Sequence, residues 1–305
     1  MRYSFACRML LNQSISNTQS DGSRILREER LKFHSDLIKG GLINKEGMPV
    51  FADVGNKASV EIARRLVAKL GQSVTAARVA GQTSGNDFEA ACCNFITATF
   101  KKLGHLRPGQ WQVMRLPQRD RVGIARFEQY AHLSEIARMC KENTELATVI
   151  GSDYLICPDI VVIRDLEEDK EINRHEALVD DKTANRASLR KSNGGKPIIH
   201  ASISCKWTIR SDRVQNARAE ALNLMRNRKG HLPHIVVVTS EPLPSRLASI
   251  ALGTGDIDMI YHFALPELIE SVHEIDSPDS LEMMRIMLEG KRLRDISDLP
   301  LDLAV

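Results

Sequence analysis

The sequence predicts an α/β fold in which a central mixed β-sheet is flanked by helices. Three observations carry that expectation. Short apolar, β-branched runs recur at residues 154–164, 198–206, 234–239 and 259–263, and runs of that length and composition favour strands. Amphipathic stretches with apolar residues at helical spacing precede and separate them. The run HIVVVT at 234–239 is apolar almost throughout, as in a strand covered on both faces. Helices before and between strands argue for a layered sheet, and no internal repeat is present.

Taken in order, residues 23–43 open with the helix-like LREERLKFHSDLIKGG, closed by Gly40 and Gly41. Residues 44–57 read as a loop holding Asp53, whose plain reading is an exposed loop acid. Residues 58–70 form an amphipathic helix. Residues 81–86, GQTSGN, make a tight polar loop containing Gln82, and a helix follows over 87–103. Glu89 falls in its first turn, where the helix dipole favours acids. A short strand is expected at 111–116 and a helical stretch over 124–150, broken near Asn143.

The run YLICPDIVVIR at 154–164 is interrupted by Pro158 and Asp159. Proline marks a strand edge or bulge, and an aspartate among isoleucines is costly to bury unless it binds something. Residues 167–196 are polar and acidic and read as a long exposed connection. In the strand at 198–206 side chains alternate, so Ser204 and Lys206 share one face and Cys205 takes the other. Residues 211–229 then form a helix whose buried stripe is Val214, Ala217, Ala221 and Leu224. Glu220 sits on an adjoining stripe and can face Lys206 across the strand–helix junction. Residues 243–251 and 266–274 complete the helices.

Composition fits a globular chain with a substantial core: 305 residues, 43% hydrophobic and 27% charged. A single domain is expected over residues 23–305 behind a flexible extension at 1–22. That extension has a broken apolar stretch and is a poor signal peptide; Met9 is an alternative start. The net charge of +3 is too small to announce nucleic acid. Locally, seven basic residues stand against two acidic ones between Lys206 and Lys229, which suits an anionic partner or a solvated helix face. The six cysteines show no metal-binding spacing, as in a reducing cytoplasm without disulfides or zinc. No run is long enough to span a membrane, and no GxxxxGK[ST] loop supports ATP use.

Lys206 has two readings. It is a strand-end lysine reaching solvent, or part of a hydrolytic set with Asp159 and Glu220. In the second reading the carboxylates hold Mg²⁺, which lowers the pKa of its water and neutralises phosphate charge, and the lysine stabilises developing charge.

Pro158-Asp159, then SCKW at 204–207, then RSDR at 210–213, then a glutamate on the next helix resembles the PD-(D/E)xK restriction endonucleases. More narrowly, the pattern is similar to a type II (IIF-like) branch that reads CCGG and has moved its second acid onto the helix. AGQTSGN, NRKG, LPHIVVVT, SIALGTG, YHFAL and KRLRDISDLPLDLAV extend the likeness over residues 27–305. The resemblance implies a Mg²⁺-dependent, double-stranded DNA endonuclease cutting GCCGGC after the first G to leave four-base 5′ overhangs and 5′-phosphates. It implies Asp159, Lys206, Glu220 and Ser204 as the catalytic set, Glu89 as a further acid, and the Cys205 carbonyl as a second metal ligand beside Asp159.

Arg210, Asp212 and Arg213 form a group suited to G·C pairs. Arginine donates to guanine O6 and N7, an acid accepts from cytosine N4, and the usual adenine partners are absent. Asp212 has an ordinary alternative as a helix N-cap. For the outer pair the resemblance implies Asp53 and Arg246, with Gln82 in the minor groove. It also implies a bacterial cytoplasmic protein, a homotetramer built as a dimer of dimers, and a cognate DNA methyltransferase as partner within a restriction-modification system. Two other outcomes stay open: a CCGG-core nuclease with another outer pair, and a non-catalytic DNA-binding module.

Overall fold

The computed structural model describes residues 24–44, 47–70, 85–117, 120, 122–152 and 154–305; for residues 211–213 it describes the backbone alone. Six strands pair in chain order in one mixed sheet. They are β1 (Trp111–Arg115), β2 (Ile160–Arg164), β3 (Ile198–Lys206), β4 (His234–Thr239), β5 (Met259–His262) and β6 (Leu293–Asp295). β1, β2 and β3 run antiparallel, and β3 through β6 run parallel. Parallel neighbours need crossovers, and helices supply them. α7 (Ser211–Asn227) joins β3 to β4, and α8 (Pro244–Ala251) joins β4 to β5. α9 (Leu265–Ile275) and α10 (Pro278–Glu289) lead to β6. The apolar β4 is buried from Ile235 onward, as its composition predicts.

α1 (Ile25–Lys39) lies on α3 (Gly85–Phe100), which packs against β1 and β3. α2 (Lys57–Lys69) packs on α9, while α8 packs with α10 and touches α7. Arg30 fastens α1 to the far edge, bonding Glu267 of α9 at 2.6 Å and Asp295 of β6 at 2.9 Å. The bonds are largely shielded from water, and removing one partner of such a group strands the other charge.

The antiparallel half carries a bulge. Val162 pairs with Ala201 but Ile163 pairs with Ile199, leaving His200 as the extra residue. Its ring bonds the Leu303 carbonyl at 2.7 Å. A bulge fixes register, and register decides which face every β3 side chain takes.

The expected helix over 124–150 is only partly formed. Gly123–Arg126 and Glu128–Tyr130 are single 3₁₀ turns parted by an extended Phe127; α4 (Leu133–Glu142) and α5 (Thr144–Ile150) follow. The first part is not one helix because its side chains are needed in several directions. Ile124, Phe127 and Tyr130 are buried. The Gln129 amide bonds the Ile199 backbone twice, at 2.6 and 3.0 Å, and Tyr130 donates to the Leu224 carbonyl at 2.9 Å. The expected break is at Asn143, whose side chain caps α5 by accepting from Leu146 N–H.

The connection between β2 and β3 is exposed over most of its length but ordered about one residue. Arg190 is buried and bonds Asp169 of α6 (Asp169–Ile172) through two nitrogens. It also donates to the carbonyls of Asp180 and Thr183.

Candidate active site

β2 and β3 separate at the site. Their register ends at the pair Ile160 and Ile203, so Asp159 lies one step beyond it, opposite Ser204. β2 itself begins after Pro158, which removes the conflict between proline and a ladder hydrogen bond. Leu116 N–H donates to the Asp159 carbonyl at 3.2 Å and keeps this residue against β1. The Asp159 side chain is buried and turned toward β3. Its Oδ2 accepts from Cys205 N–H at 2.7 Å, and Lys206 Nζ and Ser204 Oγ lie 3.3 and 3.5 Å away.

Strand alternation explains this convergence. Ser204 and Lys206 project to one face, and Cys205 between them contributes its backbone. N–H and C=O of one extended residue point the same way, so the Cys205 carbonyl also turns toward the Asp159 side. A hydrogen bond with Cys92 of α3, together with burial, pushes the Cys205 thiol up.

Glu220 of α7 is half-buried beside the lysine. Burial pushes its carboxyl up to about 7; Lys206 opposes the shift and Asp159 adds to it. For Lys206, burial alone acts downward, but the charges of Asp159 and Glu220 outweigh it and hold the ammonium above its ordinary value. Lys206 is therefore a cation at neutral pH, a donor and not a base. Glu89 reaches the same place from the second turn of α3: the helix begins at Gly85, earlier than expected, so Asp87 and not Glu89 is the acid of its first turn. Burial raises its carboxyl, Asp159 adds to that, and Arg115 and Lys206 oppose it. Arg115, the last residue of β1, holds Glu89 at 2.9 Å. Sequence reading did not single out Arg115.

A groove of about 410 Å³ opens beside Glu220, with Cys157, Asn216 and Asn223 in its wall. Burial, with Glu220 and other carboxylates adding, pushes the Cys157 thiol up to about 11. It is a neutral thiol and no ligand for a hard cation. Asp159, Glu220 and the Cys205 carbonyl offer oxygen, which suits Mg²⁺. Among the described residues no three His, Cys, Asp or Glu side chains form a ready cage. Mg²⁺ is commonly held by one or two carboxylates plus substrate phosphate and water.

Of the residues expected to read bases, Arg210, Asp53 and Arg246 are described with their side chains. Arg210 is exposed and extended, immediately before α7. Because α7 starts at Ser211, Asp212 is its second residue and not the N-cap. The side chains of Asp212 and Arg213, and all of Gln82, lie outside the described residues. Asp53 is no free loop acid. It pairs with Arg246 of α8, and its carboxyl is held low by that bond and by Gly55 N–H, with the Arg210 charge adding. Glu241, also unforeseen, is wholly buried 3.8 Å from Arg246.

One part of the basic concentration has a structural use. Arg218 pairs with Asp256 and donates to the carbonyls of Ile250 and Leu252, bracing α7 against the end of α8. It is thus occupied internally and not offered to an anionic partner. No helix among the described residues is long and apolar enough to cross a membrane.

The profile of the NgoMIV restriction enzyme family matches residues 33–305. The chain is also 55% identical over 283 residues to the type II restriction enzyme NgoMIV of Neisseria gonorrhoeae, covering 92% of this chain and 99% of that one.

Proposed function

This chain belongs to the NgoMIV restriction enzyme family, and from that premise we propose that its Asp159, Lys206 and Glu220 hydrolyse both strands of GCCGGC after the first G. The protein is a type II restriction enzyme, a site-specific deoxyribonuclease. The observation that supports the finer reading is the convergence of Ser204, Cys205 N–H and Lys206 on one oxygen of Asp159.

In the reaction a water oxygen bonds to phosphorus and the P–O3′ bond breaks. The 3′ oxygen leaves with a proton, and phosphate stays on the 5′ end. Asp159 and the Cys205 carbonyl would hold Mg²⁺, with Glu220 completing the acidic set. When bound, that ion supplies a lowered water pKa and charge neutralisation at phosphate. Lys206, fixed by Asp159, presents its ammonium to the charge that grows on the phosphoryl oxygens. Ser204 and the Cys205 N–H keep Asp159 aimed, and Glu89 with Arg115 closes the site on the β1 side.

A palindrome requires two active centres related by two-fold symmetry, so the working unit is at least a dimer. The reading extends to a dimer of dimers on two sites, to a DNA methyltransferase protecting host sites and to action in the bacterial cytoplasm. The test is incubation of a GC-rich plasmid with and without Mg²⁺, followed by end sequencing. Ends at GCCGGC with four-base 5′ overhangs, formed only with Mg²⁺, are expected. Cuts centred on CCGG with another outer pair would correct the site, and specific binding without cutting would replace the nuclease by a binding module. A two-site plasmid should be cut faster than a one-site plasmid, because the second site fills the second cleft intramolecularly. Equal rates would reduce the assembly to a dimer.

Glu220 gives a readout independent of cutting. Its folded carboxyl stands near 7 against an ordinary 4.5. Its contribution to stability is fully present below the lower value and is lost as pH rises through the higher, roughly 3 kcal/mol in all. Melting of metal-free protein between pH 5 and 8 should show this fall, and Glu220→Gln should flatten it. Mg²⁺ should restore more stability at pH 8 than at pH 5. An unchanged pH dependence in the variant would remove Glu220 from the cation site.

A further inference from the structure

Glu241 follows β4, where Thr239 is the register partner of Lys206. Its side chain is completely buried. Both oxygens are used: Oε2 accepts from Ile209 N–H at 2.8 Å and Oε1 from Leu243 N–H at 3.1 Å. A buried carboxylate is expensive, and two backbone donors alone are a modest reason to keep one. What it joins is more telling. Ile209 immediately precedes Arg210. Leu243 immediately precedes α8, three residues before Arg246, whose Nη1 lies 3.8 Å from Glu241 Oε2. Arg246 in turn bonds Asp53. One carboxylate thus touches both the segment that presents Arg210 and the segment that presents Arg246.

The surroundings brace the same junction. Ser240 Oγ donates to the Trp207 carbonyl, two residues before Ile209. The Trp207 ring meets Phe51 edge-on with centroids 6.0 Å apart, and Phe51 lies two residues before Asp53, whose carbonyl accepts from Asn56 N–H to form the next turn. Phe88 of α3 also packs on Trp207, with ring centroids 5.0 Å apart. The loop leaving β3, the loop leaving β4 and the Asp53 turn are therefore one packed unit with Glu241 at its centre.

We propose that Glu241 is a positioning residue for sequence discrimination, setting Arg210 for the core base pairs and Arg246 for the outer pair through one shared carboxylate. The proposal rests on the reading of Arg210 and Arg246 as base readers. It predicts that readings at the core and outer positions are coupled, because both arms lean on the same group. Substitution there should relax both together, unlike loss of either arginine.

The test uses full-length protein with Mg²⁺ and single-turnover cleavage of duplexes carrying GCCGGC, a single core substitution, or a single outer substitution. The proteins are wild type, Glu241→Gln, Glu241→Asp, Arg210→Ala, Arg246→Ala, and the doubles of Glu241→Gln with each arginine variant. In Glu241→Gln one oxygen can serve only one of the two N–H donors. Its preference for GCCGGC should fall about 10-fold at both positions, the scale on which shared networks couple. Glu241→Asp keeps the charge but is one methylene too short to hold both donors; it should show a smaller loss at both and covers the case that the glutamine variant does not fold. In the Arg210→Ala background, adding Glu241→Gln should change core discrimination less than about 3-fold, and likewise for Arg246→Ala at the outer pair. A purely structural glutamate would lower melting temperature and active fraction while leaving discrimination ratios intact, and that result overturns the proposal. So does a loss at one position only, or full additivity in both doubles. A wild type that cuts specifically while Arg210→Ala and Arg246→Ala keep full discrimination overturns the underlying assignment of the readers, and the proposal with it.

Discussion

Lys206→Ala and Asp159→Asn are each expected to slow cleavage of the specific site by at least about 10³-fold while the protein stays folded and binds DNA. Removing a single preorganised group from a site of developing charge costs about 10²–10³ in rate, and here the two groups also orient each other at 3.3 Å. Asparagine is the better probe of Asp159. It can still accept from Cys205 N–H, whereas alanine would leave that buried donor unmet at about 1–3 kcal/mol. Lys206→Ala leaves the Asp159 charge with its bonds from Cys205 and Ser204, so the fold should hold. Circular dichroism and binding to specific duplex with Ca²⁺ in place of Mg²⁺ separate folding and recognition from chemistry. Near wild-type cleavage by either variant would move the active centre elsewhere.

Arg210→Ala carries the second large effect. A bidentate arginine–guanine contact contributes about 1–3 kcal/mol of discrimination, so preference for the intact core should fall roughly 5- to 150-fold. Loss of affinity for unrelated duplex should be small. Arg246→Ala and Asp53→Ala should relax the outer pair instead. Competition binding over a panel of single-base variants measures this. A uniform drop across the panel would make Arg210 a phosphate contact.

Much of this site was legible in residue order. Alternation along β3 put Ser204 and Lys206 together, and the helical stripe on α7 turned Glu220 toward them. Asp159 betrayed itself as an acid in apolar surroundings. Glu241 did not, because the buried donors it serves, Ile209 and Leu243 N–H, belong to loops whose meeting depends on the fold. Arg115 was invisible for a related reason: its partner Glu89 stands on α3 and meets the end of β1 only because that helix packs against the strand. In the fold, β4 and β5 were plain from composition, but β6 is three residues with an arginine at its centre. Its strand character comes from pairing with β5, and no local period announces it. The 3₁₀ turns before α4 were read as helix because their apolar spacing is helical, while the partners that pull Gln129 and Tyr130 apart are far along the chain.

The brace formed by Arg218 bears on the kinetics of site search. The start of α7 presents Arg210 and α8 presents Arg246, and Arg218 ties these helices together before any DNA is present. Little conformational entropy is then left to surrender at encounter. On the proposed reading of Arg210 and Arg246 as base readers, a protein moving over non-specific duplex would carry these two residues on segments already joined, and its association would be governed by diffusion and not by their ordering.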